Sequence, residues 1–132
     1  MLFDYVSAFP IAYGFFYVMH RRWVDLGCLV AADLVTKALK RLTRGVAYFN
    51  RPSETARCDM LSCKRERGPR PGFPSGHMSM TAYFALSALR RPEQVALVLL
   101  MATARMYKGC HNLLQVVVGT LVGAGVFAIS KV

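Results

Sequence analysis

Negative charge is what this chain has least of. Seven Asp and Glu stand against seventeen Lys and Arg, a formal net charge of +10 over 132 residues. In a small soluble domain that surplus would ordinarily point to nucleic acid. A nucleic-acid binder, however, rarely carries long segments with no charge at all, and here such segments are prominent. Asn112 to Ser130 contains no ionisable side chain, and at about 1.5 Å per residue it can cross a hydrocarbon core of about 30 Å. Tyr5 to Met19 is likewise uncharged and is followed by His20-Arg21-Arg22-Trp23, a polar and aromatic stop. The nucleic-acid reading leaves both segments unexplained and is set aside.

Other absences narrow the classes further. The first segment has neither the basic start nor the small-residue cleavage site of a secretory signal, so it reads as a retained helix. Cys28, Cys58, Cys63 and Cys110 form no C-x-x-C pair and no metal-ligand spacing. Packing thiols are therefore expected rather than a zinc site, and no metal or other cofactor is implied. No internal repeat and no low-complexity tract is present.

Hydrophobic periodicity and breaker residues predict helices over about 3–19, 23–42, 77–90, 93–108 and 112–130, with one irregular loop over about 52–72. Pro92 starts a helix well and interrupts one badly, so the third and fourth segments form an antiparallel hairpin. Both are short for a full span, and the arginines at their ends would have to snorkel or the bilayer thin. Gly119 and Gly123 stand at GxxxG spacing, which permits close helix approach in lipid or is incidental in an apolar helix. The expected fold is all-α: a multi-pass transmembrane helical bundle of about five helices with one long basic loop, in a single domain over residues 1–132.

Threading the five segments across a membrane places residues 37–72 and 105–111 on one side. Twelve of the seventeen basic residues fall there: Lys37, Lys40, Arg41, Arg44, Arg51, Arg57, Lys64, Arg65, Arg67, Arg70, Arg105 and Lys108. The positive-inside rule would make that side cytoplasmic, yet a pocket built to hold phosphate gives the same asymmetry.

Three clusters share that face. In "RGVAYFNRP" Arg44 and Arg51 stand seven apart; "PSGH" spans Pro74 to His77; in "ARMYKGCHNLLQ" Arg105 precedes His111 by six and Gln115 follows it by four. Arginine forks match phosphate oxygens bidentately. Ser75 and Gly76 sit where a helix begins, so unpaired N–H groups and the positive end of its dipole converge there. His77 and His111 supply two imidazoles, the minimum for a nucleophile on phosphorus and a separate acid for the leaving alkoxide.

In order and spacing the clusters resemble the signature of the type 2 phosphatidic acid phosphatase superfamily, K-x6-R-P, P-S-G-H and S-R-x5-H-x3-D, over residues 44 to 115. The resemblance implies that Arg44, Arg51, Arg105, Ser75 and Gly76 bind phosphate. It also implies that His111 is the nucleophile that forms a phosphohistidine, that His77 protonates the leaving group, and that no metal is needed. Three positions depart from the pattern: Arg44 replaces Lys, Ala104 replaces Ser, and Gln115 replaces the Asp that orients and charges the nucleophilic His. Gln115 can face His111 one helical turn away and accept its hydrogen bond, but it cannot stabilise an imidazolium by charge. In a serine-protease triad the comparable Asp-to-Asn change costs on the order of 10⁴ in turnover. The chain is also about one helix short of the family's usual six.

Two functions stay open at this stage. One is an integral membrane phosphatase acting on a phospholipid or isoprenoid phosphate. The other is a non-catalytic subunit of a membrane protein assembly that holds a phospholipid headgroup. Asp33 and Glu54 are the acidic residues considered as stand-ins for the missing Asp.

Overall fold

The structure, a computed structural model, describes residues 2–51 and 70–132. Arg57, Lys64, Arg65, Arg67, Cys58, Cys63 and Glu54 lie outside the described residues. Among the described residues six α-helices follow in order: α1 (Leu2–Ser7), α2 (Phe9–Met19), α3 (Trp23–Leu42), α4 (Gly76–Ala88), α5 (Arg91–Tyr107) and α6 (Leu113–Ser130), with a 3-10 turn at Ala47–Phe49. Among the described residues the only β pairing is an isolated bridge between Asn50 and Pro71.

The sixth helix arises because the segment expected over 3–19 is broken at Ala8. Pro10 has no N–H to offer the Val6 carbonyl, and its ring would collide with that turn, so the chain restarts with Pro10 in the first turn of α2. Between α2 and α3 the chain reverses at Arg21, which takes a left-handed φ of 54°.

Helix α4 is the hub, packed on α6, α3, α5 and α2. Its approach to α6 depends on the two spaced glycines. A Cβ on Gly119 would collide with the Ser75 carbonyl oxygen and lie 3.1 Å from Met78 Cβ; one on Gly123 would collide with the Ser79 carbonyl oxygen. The glycines are therefore packing positions, not incidental ones.

Beneath the basic end of the bundle Val6, Met78, Met101, Ala104 and Val116 form one core cluster, and toward the other end Tyr13, Tyr17, Leu29, Tyr83 and Phe84 form a second. Tyr13 and Phe84 stack with centroids 4.3 Å apart. The buried hydroxyls are paired, as burial demands: Tyr13 with Thr81 at 3.2 Å, Tyr83 donating to Asp25 at 2.8 Å, and Tyr17 with Ser87.

Of the described helices only α6 combines the length and apolar composition needed to cross a membrane. Helix α2 is apolar but has 11 residues, and α3, at 20 residues, carries Asp25, Asp33, Lys37, Lys40 and Arg41. Within the chain 22% of α6 is buried. Cys110, expected as a packing thiol, is disulfide-bonded, whereas Cys28 is free and half-buried.

Candidate active site

The three clusters of the sequence meet at one end of the bundle. Arg51 N–H donates to the Arg70 carbonyl at 2.8 Å and Gly72 N–H to the Phe49 carbonyl at 2.9 Å, pinning the two stems of the long loop together. The 70–72 stem runs directly into the start of α4. Gly72 has no room for a side chain: a Cβ there would lie 2.8 Å from both Arg51 Cγ and Gln115 Oε1.

Gln115 is fully buried and uses both ends of its amide. Its Nε2 donates to the Phe49 and Asn50 carbonyls, each at 3.1 Å. Carbonyls only accept, so the amide orientation is settled and Oε1 must face the other way. There it accepts from the Asn112 N–H at 3.4 Å, while Asn112 Oδ1 accepts from the Gln115 N–H at 2.9 Å, a capping box that starts α6. The same Oε1 lies 3.0 Å from His111 Nδ1. His111 Nδ1 therefore carries the proton and Nε2 keeps its lone pair, the tautomer a nucleophile needs. The partner of His111 is thus the Gln115 amide; Asp33 pairs with Lys37 instead.

At the opening of α4 the hydrogen bonds decide which donors are already used. Ser75 N–H donates to the Gln115 carbonyl at 3.0 Å and Ser75 Oγ caps Met78 N–H at 3.5 Å. Ser79 N–H bonds the Ser75 carbonyl. Of the four first-turn donors of α4, the Gly76 and His77 amides remain for an anion. Ser75 thus caps the turn with its oxygen, and its O–H proton stays available to donate. His77 Nε2 donates to the Ser7 carbonyl at 3.2 Å, which leaves Nδ1 for proton transfer.

Arg105 is fully buried in the last turn of α5 and donates from Nη1 to Ser7 Oγ at 3.2 Å. Lys108 reaches the same hydroxyl at 3.4 Å and pairs with Asp4 at 2.9 Å, holding that carboxyl below its ordinary pKa range. Ser7 thus ties His77, Arg105 and Lys108 to α1. Nothing in the sequence pattern marked it.

Lys40, in the last turn of α3, is a second residue the motif reading missed. A Cβ on Gly76 would lie 3.3 Å from Thr36 Oγ1, 3.6 Å from Asp33 Oδ1 and 4.0 Å from Lys40 Nζ. The spacing 33, 36, 40 on one helix face is the signal that could have found it. Arg44 is exposed in the turn after α3, and no hydrogen bond or ion pair joins it to the site among the described contacts.

The electrostatics follow from this crowding of cations. Burial, then the positive charges of Arg105, Arg51 and Lys40, hold His111 well below its ordinary 6.5, with only the Gln115 hydrogen bond opposing. Burial, then Arg105, His111, Lys40 and Arg51, push the half-buried His77 the same way. Both imidazoles are neutral at pH 7, which suits a nucleophile. An acid would have to draw its proton in with an anionic ligand, whose charge reverses the local field.

Two imidazoles, two guanidiniums and the N-terminus of α4 thus meet at one end of an all-helical fold. The family described as the PAP2 superfamily matches residues 22–132, and the chain belongs to it, the superfamily of type 2 phosphatidic acid phosphatases. The match covers α3 to α6 and leaves α1, with Ser7, outside. No curated protein and no solved structure matches the chain.

Proposed function

We propose that the chain is a single-domain, membrane-embedded phosphatase that hydrolyses phosphomonoesters or pyrophosphates of lipids, a phospholipid or an isoprenoid phosphate. The observation that carries this is the Gln115–His111 bond, which leaves the His111 Nε2 lone pair beside Arg51, Arg105 and the first turn of α4. His77 takes up a proton at Nδ1 with the anionic substrate; His111 Nε2 then attacks phosphorus, the bond to the leaving oxygen breaks, and His77 Nδ1 gives that oxygen its proton. Water then attacks the phosphohistidine, returns a proton to His77 and releases orthophosphate. Arg51 and Arg105 neutralise the charge on the equatorial oxygens throughout.

The multi-pass reading is supported by a belt of exposed apolar side chains on several helices: Phe15 and Met19 on α2, Val24 on α3, Leu99 on α5, and Leu121 and Ile129 on α6. Such a belt suits hydrocarbon, and the basic end of the bundle then lies at headgroup level.

The test is phosphate release from phosphatidate and an isoprenoid pyrophosphate by detergent-solubilised protein. Wild type should turn over at least one of them and His111→Ala none; equal release from both refutes the reading. A second reading, a non-catalytic subunit that holds a phospholipid headgroup, is favoured by the amide beside His111 where the family has a carboxylate. It predicts a silent wild type that retains bound phospholipid and co-purifies with other membrane proteins.

A further inference from the structure

We infer that Lys40, and not Arg44, is the third cation on the bound phosphate, so that the cation of the first motif has moved one helical turn upstream onto the rigid end of α3. The inference rests on the phosphate-site reading above and concerns which side chains make that site. Lys40 follows Thr36 by four residues and Asp33 by seven, so all three line one face of α3. That face packs on Gly76, whose amide is open to an anion, and the Lys40 ammonium would lie 4.0 Å from a Cβ placed on Gly76. Lys40 is half-buried, whereas Arg44 is exposed.

The turn after α3 explains the displacement. Thr43 Oγ1 donates to the Leu39 carbonyl at 2.8 Å and lies 3.4 Å from the Phe73 carbonyl, so Thr43 is the residue of that turn that faces the α4 stem. Arg44 follows it, and Gly45 at φ 98° then carries the chain away. The field points the same way, since Lys40 is among the charges that depress both His77 and His111. The competing role for Lys40 is structural, a counter-charge to the nearby Asp33 carboxylate, which already pairs with Lys37.

Binding of inorganic phosphate, measured by titration calorimetry on the full chain in detergent at fixed ionic strength, separates these roles without requiring turnover. Loss of a hydrogen bond to a charged group predicts that Lys40→Met weakens phosphate binding on the order of ten- to hundredfold. Lys40→Arg should recover most of it, and Arg44→Ala should change it less than about threefold by the same scale for a surface charge. A larger loss in Arg44→Ala than in Lys40→Met overturns the inference. So does a Lys40→Met protein that melts lower yet binds phosphate as wild type does, and so does a wild type that binds no phosphate. If Lys40→Met does not fold, Lys40→Gln takes its place with the same criteria. Lys40-dependent phosphate binding without lipid phosphate hydrolysis would refute the enzyme reading alone.

Discussion

Replacing Gln115 by the family's Asp looks on paper like a repair, and the structure predicts the opposite. The shorter carboxylate loses both N–H donors that now bind the Phe49 and Asn50 carbonyls. Phe49 keeps a second partner, the Gly72 N–H at 2.9 Å, so its loss is one hydrogen bond, about 1 kcal/mol. The Asn50 carbonyl has no second bond among the described contacts, and stranding a partly buried acceptor costs about 1–2 kcal/mol. Together Gln115→Asp should destabilise by about 2–3 kcal/mol, a fall in melting temperature of roughly 6–15 °C for a chain of this size. Because those carbonyls precede Arg51 directly, the guanidinium is displaced with them. The assay is a thermal melt in detergent alongside phosphate release, with Gln115→Glu, which keeps the length but not the donors, in parallel. A Gln115→Asp protein that melts as wild type and turns over faster would refute this account of the amide.

Other outcomes can be checked alongside. Gly119→Ala and Gly123→Ala each drive a methyl into an α4 carbonyl, and each should lower stability by about 1–3 kcal/mol or more, read by thermal melts; Gly125→Ala, which meets nothing within 4 Å, should not. His111 and His77 have folded pKa values below the unfolded 6.5. The unfolded chain therefore takes up protons first, and stability should fall as pH drops below about 6.5. A melting temperature that does not change between pH 7.5 and 5, or a His111→Gln variant with an unchanged pH slope, would contradict this. Ser7→Ala removes the hydroxyl that accepts from Arg105 and should cost about 1.5–3 kcal/mol of stability or transition-state binding, seen as a lower kcat/KM; an unchanged value would show that α1 does not position Arg105.

Much of the fold was legible because its signals are local. The α3, α4, α5 and α6 boundaries fall within about two residues of those read from periodicity, Pro92 and the helix start at Ser75-Gly76. The split at Ala8 was missed because an uncharged run masked Pro10, which ends a helix whatever the hydropathy around it. Lys40 was passed over because motif spacing is counted along the chain, whereas its approach to Gly76 depends on how α3 leans on α4. Ser7 carried no signal at all, since a lone serine near an N-terminus acquires its role only from the α1–α5 contact.

By itself the sequence determined which residue types meet at the basic end, Arg51, Arg105, His77 and His111, because their spacing places them at helix ends on one face. It also determined that α6 is apolar enough for lipid. Only the tertiary structure decided what holds them: the Gln115 amide stretched between the His111 ring and the Phe49 and Asn50 carbonyls, Ser7 beneath His77 and Arg105, and Lys40 in place of Arg44 beside Gly76. Those are contacts between segments distant in sequence, and their register is set by the close packing of α4 on α6 and α3, which local periodicity does not encode.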